Sequence, residues 1–506
     1  MKFLTPITTI VSSIGGLLYG YDIGIISGVF STPTFPVFFG MDGDASEAKQ
    51  IQGDIVSLLQ AGACIGALTA NFYADRFGRR KSIIVSTLIF MFGSAIQTGS
   101  KNLPMILFGR FAGGWGVGSC SMLVPMYIAE ISPLNIRGRM GALWQLNISV
   151  GMMLAFWVNY GCLVGLKTGD IQWRLPLGLQ IVPGLILCIG MLFLPESIRW
   201  LALQDKFDDA LDVLCRLRNL PQDHPNITNE FDQITNAVTM EKQQDGSKWK
   251  ELMEPHNIRR LALGCFMQIA QQWTGTNAIN YYGPLIFQTI GLNSSMSVLM
   301  TGVYGCVKVF FVLASFFFLD KKAVGRRPTL LLGSLANIII FFVLGGMLYS
   351  IEKAIANGSP APAAQGYVAM VMIYLFAVSF EWSWGPLTWI VCSEIFPNRI
   401  RAVCISITTS MNWAMNAIIG KITPLMIADI SYGTFFFYGA CCLTMGIIVY
   451  VFLPETKGRT LEEMDEIFLH GKAIVIGLGY TENKSILPTD SMTIDEKNIH
   501  TNKEKD

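Results

Sequence analysis

The sequence predicts an all-α membrane protein of twelve transmembrane helices, arranged as two pseudo-symmetric six-helix halves. Three observations carry that prediction. The chain is too apolar for water, its apolar stretches are long enough to cross a membrane, and its landmarks occur twice in the same order. Of 506 residues, 52% are hydrophobic and only 14% charged, whereas a soluble protein is about a quarter charged. The mean hydropathy is positive. A formal net charge of +1 provides no basic field for nucleic acid, so the expected surroundings are a lipid bilayer.

Crossing roughly 30 Å of hydrocarbon takes about 20 apolar residues. Six such stretches start near Thr8, Ile55, Ser82, Leu103, Gly141 and Leu175. Six more start near Arg260, Met296, Thr329, Tyr367, Ala402 and Thr434. The first stretch contains Gly15-Gly16 and Asp22, and no small-residue cleavage site follows a compact apolar core. It reads as a membrane helix that doubles as the targeting signal, with no cleaved leader.

Between the two sets, Glu196 to His256 is highly charged, with Phe207, Leu211, Leu214 and Leu217 at helical spacing. Short amphipathic helices on the membrane surface are expected there. The expected division is 1–195 for the N-terminal half, 196–256 for a cytoplasmic linker, 257–454 for the C-terminal half and 455–506 for a cytoplasmic tail. The tail is charged and rich in Ser and Thr, and is expected to be disordered beyond Phe468.

Charge orients the bundle. Arg76, Arg79, Arg80 and Lys81 follow the second span, Arg137 and Arg139 the fourth, Lys321, Lys322, Arg326 and Arg327 the eighth, and Arg399 and Arg401 the tenth. The alternate loops are nearly free of Lys and Arg; Ser31 to Gly53 has only Lys49. The positive-inside rule then places both termini in the cytoplasm. The sequons at Asn293 and Asn357 fall outside and the one at Asn226 inside. The 11 cysteines lie mostly in apolar runs, such as Cys120, Cys306 and Cys442, and none pairs at metal-ligand spacing. They read as small buried hydrophobes, and no metal is expected.

Three landmarks repeat. Asp75-Arg76-Phe77-Gly78-Arg79-Arg80 recurs as Gly325-Arg326-Arg327 behind Asp320. Glu130-Ile131-Ser132-Pro133 with Arg137 and Arg139 recurs as Glu394-Ile395-Phe396-Pro397 with Arg399 and Arg401. Pro195-Glu196-Ser197 closes the first half and Pro454-Glu455-Thr456 the second. Duplicated halves of this kind hold their solute at the interface between them.

On these residues, together with Pro125-Met126-Tyr127-Ile128-Ala129-Glu130 and Pro454-Glu455-Thr456-Lys457-Gly458-Arg459, the chain resembles the sugar porter family of the major facilitator superfamily. The resemblance runs from about Gly15 to Phe468, and Ala155-Phe156-Trp157-Val158-Asn159-Tyr160-Gly161 is similar to fungal members, including a quinate-permease-like branch. Ile198 departs from the family's usual proline. The loop Asp320 to Gly325 is longer than its first-half copy, so no substrate residue is carried over from the eighth span. The resemblance implies the major facilitator fold and alternating-access carriage of a small neutral sugar or related polyol across the plasma membrane. No nucleophile–base set or phosphate-binding loop is present, so neither an enzyme nor a cofactor is expected. A gradient must supply the energy.

The seventh span carries Gln271, Gln272 and Asn277, amides that are costly on a lipid-facing helix. Gly275 and Gly283-Pro284 let that helix break around a ligand. The plain alternative is interhelical amide hydrogen bonding. The resemblance implies that Gln145, Gln271, Gln272, Asn277 and Asn412 bind sugar hydroxyls, that Trp389 stacks on the ring beside the Gly385-Pro386 break, and that Trp413 is a wall aromatic. It makes Tyr281 and Tyr282 an outer gate. Arg79, Arg80, Glu130, Arg137, Arg139, Glu196, Arg326, Arg327, Glu394, Arg399, Arg401 and Glu455 are expected to form salt bridges that hold the outward-open state.

A carboxylate within a span costs about 2.5–3.5 kcal/mol, so Asp22 needs a cavity, a partner or a proton. Arg110 is the natural partner. The resemblance implies that this pair couples a proton to transport, while facilitators keep such an acid too. Symport, facilitated transport and, as a different class, a non-transporting sugar sensor stay open here. The short tail after Phe468 favours a carrier over a sensor.

Overall fold

The computed structural model describes residues 4–133, 137–243, 247–319, 325–359, 362–397, 399–457, 459 and 461–470. Among them every regular element is a helix. In the first half these are α1 (Leu4–Val29), short α2 (Thr34–Phe38), α3 (Ala45–Phe77), α4 (Arg79–Thr98), α5 (Leu103–Ile131) and α6 (Arg137–Gly165). The sixth span is split into α7 (Ile171–Leu179) and α8 (Ile181–Phe193). Four helices form the linker: α9 (Ile198–Leu203), α10 (Phe207–Arg218), α11 (Pro225–Gln243) and α12 (Lys248–Leu252). The second half begins with α13 (Pro255–Trp273) and α14 (Thr276–Thr289), then α15 (Ser294–Leu319) and α16 (Arg326–Ala356). It continues with α17 (Ala363–Trp382), α18 (Trp384–Ile395), α19 (Arg401–Asp429) and α20 (Gly433–Phe452), and α21 (Leu461–His470) follows. With α7–α8, α13–α14 and α17–α18 each counted as one span, the halves have six spans apiece.

Ten of these spans are apolar and long enough to cross a membrane on composition alone. The two that fall short are α5, which carries Arg110 and a run of glycines, and α13–α14, which carries the amides. Both are packed among other helices, so lipid does not demand that they be apolar. Lipid-facing positions show the reverse: Phe72, Phe193 and Phe310 are exposed, because hydrocarbon is their solvent. Cys306, expected to be buried, is also exposed, since it lies on the outer side of α15.

Close packing rests on small residues. A glycine falls at every fourth position of α1 from Gly16 to Gly28, and this stripe faces α6. A Cβ at Gly20 would stand 1.9 Å from the Ile148 carbonyl oxygen. Helix association in lipid depends on such contact, because apolar burial gives no drive there.

Two spans are broken where the site needs them. Between α13 and α14, Gly275 takes φ +82°, a conformation that glycine adopts without strain. Between α17 and α18 the break falls at Ser383. Pro386 explains it: the residue lacks an N–H and would clash with the Trp382 carbonyl of a continuous helix.

In the linker, Leu214 and Leu217 are buried on the inner face of α10. The α10 end is tied to the first half by Thr5 donating to the Leu217 carbonyl at 2.6 Å and Arg218 to that of Ile131 at 2.9 Å. Ile198 opens α9 at the position proline would favour, and the Ser197 hydroxyl accepts from the Trp200 N–H, so the helix starts without it. The loop Asp320 to Val324, the tail beyond His470 and the side chains of Arg137 and Arg139 lie outside the described residues.

Candidate functional site: an amide-lined cavity between the halves

A cavity lies where the two halves meet. From the first half it is lined by Tyr19 and Ile23 of α1 and by Gln145, Ile148 and Met152 of α6. From the second it is lined by Gln271, Gln272, Thr276, Asn277 and Asn280 at the α13–α14 break, and by Lys308, Phe380 and Trp389. Its volume of about 40 Å³ holds a few waters. A ring solute enters only if the walls part.

The amides form one continuous chain. Asn412 Nδ2 donates to Gln268 Oε1 at 2.7 Å and Gln271 Oε1 at 2.9 Å, and its oxygen accepts from Gln272 Nε2 at 2.8 Å. Asn277 Nδ2 donates to Gln272 Oε1 at 2.6 Å, and Asn280 Nδ2 to Asn277 Oδ1 at 3.0 Å. Gln271 Nε2 donates to the carbonyls of Trp384 and Gly385 at 3.1 and 2.9 Å. These carbonyls lie just past the break before α18, so one helix break is braced by an amide next to the other.

Five of the expected contact residues therefore line the cavity: Gln145, Gln271, Gln272, Asn277 and Trp389. Three do not. Gly385 offers its carbonyl to Gln271, and Asn412 has its side chain committed to three glutamines. Trp413 is buried, packs 4.8 Å from the Tyr19 ring and donates to Ser121 Oγ at 3.0 Å. These three stand one layer back and position the wall.

On the side away from the arginine-rich loops, Tyr281 reaches across to the first half. Tyr281 donates to Asn416 Oδ1 at 3.0 Å and accepts from Gln60 Nε2 of the first half at 2.7 Å. Tyr282 donates to the Gly420 carbonyl at 2.7 Å, and both tyrosines are buried.

Asp22, one position before the cavity-lining Ile23, pairs with Arg110. Arg110 Nη1 lies 3.0 Å from Asp22 Oδ1, and neither side chain is exposed. Arg110 Nε also donates to the Ile55 carbonyl at 3.0 Å.

A second buried pair escaped the sequence reading. Lys308 Nζ on α15 lies 3.1 Å from Glu381 Oε1 on α17, with side-chain exposures of 1% and 0%. Gln145 Nε2 donates to Glu381 Oε2 at 3.2 Å, which joins the halves. A lone lysine inside an apolar span is as costly as Asp22 and could have been flagged in the same way. Asn280, Tyr19 and Met152 were also missed.

At the arginine-loop edge the repeats become matching clusters. Glu196 Oε1 accepts from the backbone N–H groups of Arg79 and Arg80 at 2.9 and 3.0 Å, capping the start of α4. Glu455 does the same for Arg326 and Arg327 at 2.8 and 3.1 Å at the start of α16. Carboxylates suit helix N-termini because the unpaired N–H groups point at them. Burial pushes the Glu196 carboxyl above its usual range, against the pull of those N–H groups. Arg79 Nε lies 3.1 Å from Glu130 and Arg326 Nη2 3.2 Å from Glu394. Ser197 donates to Glu130 and Thr456 to Glu394. Each of these contacts stays within one half. Arg399 instead reaches Glu251 of α12 at 2.9 Å, and Arg401 donates to the Phe396 carbonyl at 3.0 Å. Among the described residues no three His, Cys, Asp or Glu side chains converge as a metal site.

Residues 8–468 match the family model described as "Sugar (and other) transporter". The MFS glucose transporter mfs1 of Aspergillus flavus is 32% identical over 91% of this chain and 89% of its own length. A probable quinate permease of Aspergillus niger is 34% identical over 90% of this chain and 86% of its own. The structure of the proton:xylose symporter XylE of E. coli, bound to 6-bromo-6-deoxy-D-glucose, superposes with a TM-score of 0.76 at 27% identity. It covers 92% of this chain and 99% of its own.

Proposed function

Since the chain belongs to the family of sugar (and other) transporters, we propose that it carries a sugar, or a polyhydroxylated relative of one, by alternating access and in symport with a proton. It is a multi-pass membrane carrier and not an enzyme, as its family is one of transporters. The observation that carries the reading is the amide chain of Gln271, Gln272, Asn277 and Asn280 facing Gln145 across the cavity between the halves. Sugar hydroxyls need many neutral donors and acceptors, and Trp389 and Phe380 offer apolar faces to the ring's C–H side.

These amides bond to one another, so each sugar hydroxyl exchanges one hydrogen bond for another. The net gain is about 0.5–1.5 kcal/mol per bond. Several such bonds give about −4 kcal/mol, or roughly millimolar affinity, which suits a site that must also release. Binding also draws the α13–α14 break toward α6, which is how occupancy would favour rocking of the halves.

Asp22 would alternate between an ionised form paired with Arg110 and a protonated form. One proton crossing 100 mV supplies about 2.3 kcal/mol, enough to concentrate a neutral solute roughly 50-fold. XylE, named a proton:xylose symporter, and mfs1, named a glucose transporter, agree with this reading. The paired clusters around Glu196 and Glu455, each pair contributing about 0–1 kcal/mol where exposed, would bias the carrier between its states. The arginine-loop face would be cytoplasmic, with both termini on that side of the plasma membrane.

The test is uptake of a panel of labelled hexoses, pentoses, polyols and polyhydroxy acids into cells lacking their own sugar carriers, with and without a protonophore. Accumulation that the protonophore abolishes supports symport. Uptake that only equilibrates and ignores the protonophore makes the protein a facilitator. No uptake of any member would overturn the carrier reading.

A further inference from the structure

Among the described residues Lys308 is the sole charged side chain on the cavity wall; its partner Glu381 does not line the cavity. The solute side of the cavity therefore meets an ammonium whose counter-ion is out of reach. The contact between the two is close but poorly directed, since among the described residues Glu381 Oε1 accepts no aligned hydrogen bond. The other acceptors near Lys308 Nζ are weak or distant: Asn280 Oδ1 at 3.5 Å and Met152 Sδ at 3.7 Å. An ammonium has three donors, so Lys308 retains capacity for a strong acceptor arriving in the cavity. Glu381 would not be stranded by such a shift, because Gln145 already donates to its second oxygen.

A structural role does not account for the pair. Buried ion pairs are often no better than apolar residues of the same volume, and in a span they are costly. A neutral hydroxyl needs only an amide, of which the cavity has several. Resting on the carrier reading above, we propose that Lys308 selects polyhydroxylated solutes bearing a carboxylate: the acid group binds Lys308, and the ring hydroxyls bind Gln271, Gln272, Asn277 and Gln145. Charge-assisted hydrogen bonds are about twice as strong as neutral ones, so the acid group orients the whole solute.

The test compares quinate, D-galacturonate and D-gluconate with myo-inositol, D-galactose and D-glucose, as uptake by cells and as competition for binding to the purified full-length protein. The acids are expected to half-saturate at concentrations at least ~10-fold below their neutral counterparts. Lys308→Gln should erase that preference. Because it also alters the charge balance beside Glu381, the double variant Lys308→Gln/Glu381→Gln is measured beside it, and its acid uptake should fall at least ~10-fold further than its neutral-sugar uptake. Lys308→Arg should retain the preference in part. A wild type that takes neutral sugars as well as or better than the acids overturns the inference and leaves the carrier reading intact. Equal loss of acid and neutral uptake in the double variant overturns it as well. If neither class binds or moves, the carrier reading falls and this inference with it.

Discussion

Asp22 and Arg110 meet at 3.0 Å with both side chains wholly buried, yet among the described residues Asp22 Oδ2 and Arg110 Nη2 each lack a hydrogen-bond partner. A pair kept only for stability would be expected to satisfy both of its ends, since an unmet buried group costs about 1–3 kcal/mol or more. In the proposed symport the spare carboxylate oxygen would take the proton. Asp22→Asn should therefore abolish accumulation and its pH dependence while sparing exchange down a gradient, because asparagine still accepts from Arg110. Uptake in energised vesicles against counterflow in de-energised ones checks it; a mutant that still concentrates solute would make the pair structural.

The glutamines are tested by truncation. Gln272→Ala removes the bonds to Asn412 and Asn277, and Gln271→Ala removes those to the Trp384 and Gly385 carbonyls. At about 1 kcal/mol per bond, the half-saturation constant should rise roughly 5-fold or more, with unchanged protein in the membrane. Asn412→Ala should do the same by releasing the glutamines. Wild-type kinetics in all three would place the pocket elsewhere.

Tyr281 joins the halves on the tyrosine side through Gln60 and Asn416. Tyr281→Phe deletes both bonds and leaves the ring. Closure on that side should weaken by about 1–3 kcal/mol, so a cysteine introduced at Thr276 should react faster with a thiol reagent applied outside. Unchanged labelling would mean that the tyrosine is not a gate.

Orientation can be read directly. A reporter fused after Phe468, or inserted at Gln222 between α10 and α11, should be found in the cytoplasm, because it shares a side with the arginine-rich loops. Labelling of either from outside intact cells would invert the topology.

Much of this was legible without coordinates. Membrane spans follow from length and apolarity, since lipid imposes one requirement on every exposed turn. Asp22 with Arg110, and the amides around Gln272, stood out because their cost in a membrane needs repayment. The matching clusters at Glu196 and Glu455 followed from repeated residues. What tertiary structure decided was who stands in front of whom. Lys308 and Glu381 are 73 positions apart on helices whose mutual rotation no periodicity reveals. Asn412 and Trp413 sit on a face that points inward, and only packing shows that Gln268, Gln271, Gln272 and Ser121 reach them before any solute does. The order of layers about a cavity depends on how helix breaks at Gly275 and Ser383 aim their neighbours, and that depends on contacts between distant spans.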